Sequence, residues 1–83
     1  MLLNANTLYI GGLASDATAD RLRDLFSRYG GICEARVVMK AATGACRGFG
    51  FVTFNARADA LRAMHDLDGA VVRGTKLRVD LAR

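Results

Sequence analysis

Hydrophobic positions along the chain switch between a period of two and a period near 3.6, and the switches mark out its elements. Thr7 to Gly11 alternates β-rich residues and reads as a strand with Leu8 and Ile10 on one side and Tyr9 on the other. A loop over Leu13 to Ala17 follows. From Thr18 to Tyr29 the apolar residues Leu22, Leu25, Phe26 and Tyr29 stand at i, i+3, i+4 and i+7, the stripe of an amphipathic helix that Gly30-Gly31 stops. Thr18 suits its cap and Asp20 its positive end, although Arg21 occupies the position where a capping box has Glu or Gln. Ile32 to Met39 reverts to strand period, with Ala35 and Val37 facing one way and Arg36 and Val38 the other. The small-residue stretch Lys40 to Ala45 makes a hairpin in which Gly44 takes positive φ, and Cys46 to Phe54 returns as the next strand. Ala58 to Leu67 is helical again, with Ala60, Ala63, Met64 and Leu67 on one face. Gly69 ends it, Ala70 to Gly74 forms a short extended connection, and Lys76 to Leu81 is a last strand with Leu77, Val79 and Leu81 inward.

The order βαββαβ with two one-sided helices predicts an α+β, ferredoxin-like sandwich: a four-stranded antiparallel sheet with both helices on one face and the other face open. Alternation along Cys46 to Phe54 then sorts its residues. If Val52 and Phe54 fill the interior, Gly48 and Gly50 also point inward beneath the helices, and Arg47, Phe49, Phe51 and Thr53 point to solvent. With Tyr9 outward on a neighbouring strand, three aromatic rings gather on the open face. Exposed aromatic clusters cost solubility and are better explained by binding than by packing.

Composition narrows the classes of function. With 83 residues there is room for one core, so residues 1–83 are expected to form a single domain with its core at about 7–82. No apolar run exceeds three residues, which excludes a membrane span and a signal-peptide core and sets the expectation of an intracellular protein, nuclear or cytoplasmic. Twelve Lys and Arg against eight Asp and Glu give a net charge of +4, suited to a polyanion. Cys33 and Cys46 lack metal-binding spacing. With Cys33 opposite Thr53 and Cys46 opposite Lys40 they stand about 23 Å apart at strand rise, too far for a disulfide. His65 is the only histidine, so neither a zinc site nor a nucleophile–histidine arrangement has raw material; the chain is expected to be no enzyme and to need no cofactor or metal.

The stretch Arg47-Gly48-Phe49-Gly50-Phe51-Val52-Thr53-Phe54 matches every defined position of the RNP1 octapeptide of the RNA recognition motif, and Leu8-Tyr9-Ile10-Gly11-Gly12-Leu13 resembles the companion RNP2 hexapeptide. The resemblance extends to Gly30, Thr43-Gly44, Ala60, Ala63-Met64, Leu77 and Val79, and so covers nearly the whole chain. It implies a module for single-stranded RNA, in which Tyr9 and Phe51 stack bases, Phe49 contacts sugars and Arg47 pairs with a phosphate. Arg36, Lys40, Arg78 and Arg83 are candidate further phosphate or polar contacts. Single-stranded DNA is an expected weak second ligand, a protein is an expected partner for the helical face, and no membrane is expected. The alternative is the same fold serving as a protein-interaction module with weak or no RNA binding. Gly12 stands where the family usually has Asn, which implies a looser loop, and Lys40 where it usually has an acid, which implies a more positive hairpin base.

Overall fold

The computed structural model describes residues 6–82. Six strands and two α-helices alternate as β1 (Thr7–Gly11), α1 (Ala19–Phe26), β2 (Ile32–Met39), β3 (Cys46–Phe54), α2 (Arg57–Leu67), β4 (Val71–Val72), β5 (Thr75–Lys76) and β6 (Arg78–Leu81). Strands β2, β3, β1 and β6 form one antiparallel sheet in that order, and β4 with β5 forms a separate small hairpin. The ferredoxin-like arrangement expected from the hydrophobic pattern is the one observed.

Helix α1 starts where its cap predicts: Thr18 is extended and its side-chain oxygen accepts the Arg21 backbone N–H. The predicted helix to Tyr29 is regular only to Phe26. Ser27–Tyr29 tightens into a 3₁₀ turn that closes at Gly30, whose φ of 152° a side chain would disfavour. Leu22 and Phe26 drive into the sheet, where they meet Leu8, Ile10, Val52, Phe54, Ala60, Ala63, Leu67, Leu77 and Val79 in one core. Two alanines on the inner face of α2 leave room for the larger residues of the sheet, and Met64 packs against the core from its edge.

The predicted last strand divides at Leu77. Val71 and Val72 turn back through Arg73-Gly74 to pair with Lys76 and Thr75, and both turn residues have positive φ, 53° at Arg73 and 79° at Gly74. Such a two-residue turn matches the twist of its strands, so the stretch that polarity alone reads as an extended connection becomes a hairpin. The β6 edge of the main sheet is then covered: Asp68 Oδ1 accepts the Val79 N–H at 3.0 Å, and the Leu77 N–H bonds the Ala70 carbonyl at 2.8 Å.

Two register shifts in the β2–β3 pairing alter the expected pairs. Glu34, not Cys33, lies opposite Thr53, because Cys33 is the extra residue between the Ile32–Phe54 and Glu34–Thr53 pairs. Cys46 pairs with Met39 instead of Lys40. Both thiols are free, Cys33 exposed and Cys46 buried.

Candidate functional site

The outward residues of the four strands fall into rows across the sheet. Cα pairing sets Arg36 beside Phe51, Phe51 beside Tyr9, and Tyr9 beside Asp80. The next row carries Phe49 beside Gly11 and Gly11 beside Arg78. Tyr9, Phe49 and Phe51 therefore occupy the two central strands, each paired on both sides. Their ring centroids form a near-equilateral triangle with sides of 5.9 Å (Tyr9–Phe49), 6.0 Å (Tyr9–Phe51) and 6.1 Å (Phe49–Phe51). The last two contacts are edge-on and the first is close to stacked, an arrangement that satisfies the ring quadrupoles while leaving ring surface toward solvent. Tyr9 remains 36 % exposed, although it stands beside fully buried Leu8 and Ile10.

Glycine shapes this surface from below. The Tyr9 ring lies down over Gly11: a methyl group on Gly11 would come within 2.7 Å of the Tyr9 phenolic oxygen. Strand alternation places Tyr9 outward but gives no sign that its ring reclines, and the glycine two residues on is the signal that does. A methyl on Gly50 would overlap the Arg36 carbonyl and press on Leu22 of α1, so Gly50 lets the helix and β2 close onto β3 behind the aromatic row. Gly48 does not lie beneath a helix as expected from unbroken alternation. It has φ 98°, its carbonyl accepts the Leu13 N–H at 2.9 Å, and it sits within the second register shift, between the Val37–Gly50 and Met39–Cys46 pairs. The buried thiol of Cys46 accepts the Gly48 N–H at 3.3 Å and holds this irregular corner. Gly12, likewise at positive φ (77°), packs directly against the Lys76 carbonyl, so the loop after β1 is tight at the point where its glycine suggests looseness.

The cations are distributed unevenly about the rings. Arg36 lays its guanidinium over Phe51, 5.2 Å from the ring centroid, and so covers part of one platform. Arg78 and Arg47 are exposed on β6 and at the start of β3, and Lys40 is exposed where its N–H and carbonyl close the β2–β3 hairpin with Ala45 and Gly44. Arg83 lies outside the described residues. Among the described residues Arg36, Lys40, Arg47 and Arg78 make no ion pair. The pairs that do form, Arg21 and Arg73 with Asp16 and Arg62 with Asp59, involve the loop after β1, the helices and the β4–β5 turn. Cations without ion-pair partners therefore stand on the aromatic face, together with one carboxylate, Asp80, beside Tyr9.

On the helical side, the Tyr29 phenol is pushed above its ordinary pKa, first by desolvation and then by the Asp66 carboxylate. Among the described residues no group of three or more His, Cys, Asp or Glu could hold a metal ion, and no helix is long and apolar enough to cross a membrane.

A chain of this sequence and topology has known counterparts. The family model described as RNA recognition motif matches residues 8–78. The chain belongs to the RNA recognition motif family. It is 39 % identical over 80 residues to glycine-rich RNA-binding protein 3, mitochondrial, of Arabidopsis thaliana, covering 96 % of this chain and 26 % of that protein. It is 41 % identical over 75 residues to the 28 kDa ribonucleoprotein, chloroplastic, of Spinacia oleracea, covering 90 % of this chain and 32 % of that one. This RNA recognition motif thus spans about a quarter to a third of the length of these two relatives. Its backbone matches the Sex-lethal RNA recognition domains 1 and 2 of Drosophila melanogaster with a TM-score of 0.89 at 35 % identity, over 94 % of this chain and 50 % of that one. A solved Sxl-lethal protein–RNA complex matches with the same TM-score and identity, over 94 % and 47 %.

Proposed function

We propose that residues 7–82 act as one RNA-binding domain that seats single-stranded RNA on the open sheet face. The observation that carries this reading is the partly exposed triangle of Tyr9, Phe49 and Phe51 on the central strands, with Arg36 over Phe51 and Arg78 in the Phe49 row, neither of them in an ion pair among the described residues. Each base has an apolar π face whatever its identity. A ring held on a rigid strand stacks on it for roughly 1 to 3 kcal/mol, with little side-chain entropy left to lose. Tyr9 and Phe51 present two such surfaces, Phe49 lies between them for the sugars, and Arg47 suits a phosphate through its planar fork. Arg36 adds a second stacking surface above Phe51, and Lys40 and Arg78 extend the positive field. The Sex-lethal relative, solved with RNA, supports the ligand class, as do the names of the plant relatives. Those names also make an intracellular, RNA-containing compartment the proposed setting, with the organelles as candidates beside nucleus and cytosol.

A paired base cannot lay its face on Tyr9 or Phe51, because its neighbours in the duplex already cover it. An unstructured RNA oligonucleotide is therefore expected to bind at least about 10-fold more tightly than a perfect duplex of the same length, a margin within the worth of one stack. Fluorescence anisotropy titrations of both forms test this, and equal affinities would remove the stacking mechanism.

Gly11→Ala tests the reclining ring. Its methyl must push the Tyr9 phenol off the sheet, which is sterically easy because that is the free end of a side chain, so the melting temperature should hardly move. RNA affinity should fall by up to about 1 to 3 kcal/mol, the value of one stacked base. Unchanged affinity would show that the ring need not lie flat to bind.

A further inference from the structure

The aromatic row of the sheet is flanked by opposite charges: Arg36 beside Phe51 at one end, Asp80 beside Tyr9 at the other. Asp80 is exposed, and among the described residues it makes no ion pair. Its Oδ1 accepts the Leu81 N–H at 2.8 Å, which fixes the carboxylate near the backbone and leaves Oδ2 without a protein partner among the described residues. A carboxylate on a face that receives phosphates works against general affinity, so any favourable contribution it makes to binding lies in choosing among bases.

Its position is suited to that choice. Tyr9 and Asp80 are directly paired, and the Tyr9 ring leans from its own position over Gly11, whose partner on β6 is Arg78. A base stacked on Tyr9 thus has an acceptor, Asp80, and a donor, Arg78, on the adjacent strand, and Tyr9, His65, Asp68, Arg78 and Asp80 line one polar depression there. The four bases present different edges to such a pair. Guanine has two adjacent donors, N1–H and the 2-amino group, which match Oδ2 and the remaining lone pair of Oδ1, and its O6 and N7 accept from a guanidinium. Adenine and cytosine each offer one amino group with no second donor beside it, and uracil flanks its single N–H with two carbonyls, so none of the three matches a carboxylate with two adjacent donors.

We propose that Asp80 makes the Tyr9 subsite selective for guanine, with Arg78 holding the adjoining O6/N7 edge of the base. This rests on the reading of the sheet as an RNA-binding face. The test uses a short oligouridine and its variants carrying one central guanosine, inosine, adenosine or cytidine, titrated against the native chain and Asp80→Asn. In the native chain guanosine should bind roughly 10-fold or more tightly than uridine at that position. Inosine, which keeps N1–H and lacks the 2-amino group, should fall between them. In Asp80→Asn, where an amide replaces one acceptor by a donor, the guanosine-to-uridine ratio should drop to within about 2-fold, with an unchanged thermal melt because Asp80 is exposed. A native chain that binds all five probes equally, or a variant that keeps the guanosine preference, would overturn the assignment of Asp80 while leaving stacking intact. Failure to bind any of the probes would overturn the RNA-binding reading itself.

Discussion

Phe54→Ala is expected to lower folding stability by about 3 to 5 kcal/mol, the usual cost of removing a large ring from a packed interior. Phe54 ends β3 pointing inward and is only 1 % exposed. Its ring meets that of Phe26 edge-on at 6.4 Å, joining the sheet to α1. Because Phe26 closes the last regular turn of α1 and Phe54 pairs with Ile32 at the start of β2, the surroundings cannot collapse into the space without moving a helix and a strand together. A domain of this size holds only about 4 to 12 kcal/mol in total, so the substitution removes a large share of it. Thermal denaturation followed by circular dichroism should show a midpoint lower by more than about 10 °C. A fall of only a degree or two would mean that Phe54 is not a core residue, and the division of β3 into an inner and an outer face would be wrong.

That division is the part of the fold most openly written in the chain. Period-two alternation in β1 and β3 and the stripe of Leu22, Leu25, Phe26 and Tyr29 predict which residues meet in the core, because burial of apolar surface depends on side-chain direction and direction follows from the period. The details that escaped it are set by backbone hydrogen bonding. Whether Ser27–Tyr29 continues as α-helix or tightens to a 3₁₀ turn depends on how Gly30 closes the last turn. The split of the last strand at Leu77 comes from two adjacent positive-φ residues, and Arg73 at φ 53° is not a residue that announces such a turn. The shifts at Cys33 and around Gly48 likewise depend on which carbonyl wins a given N–H, and Leu13 and Ser15 claim the β3 end by pairing with Gly48 and Cys46.

The candidate site shows the same contrast. The octapeptide around Phe49 and Phe51, with Tyr9 upstream, is sufficient to locate the aromatic cluster, and the structure brings all three rings within about one ring diameter of each other. Sequence alone does not sort the exposed arginines, because an outward arginine on a strand has the same pattern whether it stands over a ring or in open solvent. Only coordinates separate Arg36, stacked on Phe51, from Arg78, which flanks Gly11. Asp80 was invisible as a site residue: in a chain read for positive charge, a lone carboxylate on the last strand looks like ordinary surface until the register sets it beside Tyr9.

The double substitution Phe49→Ala/Phe51→Ala should fail in the opposite way from Phe54→Ala. Phe49 and Phe51 are half-buried against each other, Tyr9 and Arg36, and neither belongs to the core cluster of Leu8, Ile10, Val52 and Phe54. Their loss removes ring-to-ring contacts on the open face and leaves the helix-packed face untouched, so the fold should survive with a modest drop in melting temperature. Binding should lose about 2 to 6 kcal/mol if the two stacking contributions roughly add.

The most direct test of the account is titration of an unstructured single-stranded RNA with this double variant, once its melt has shown it to be folded. Binding by aromatic stacking on the open sheet face predicts a rise in Kd of at least about 30-fold over the native chain. An unaltered Kd in the folded variant would contradict it, and would move the search for this domain's ligand away from the sheet face.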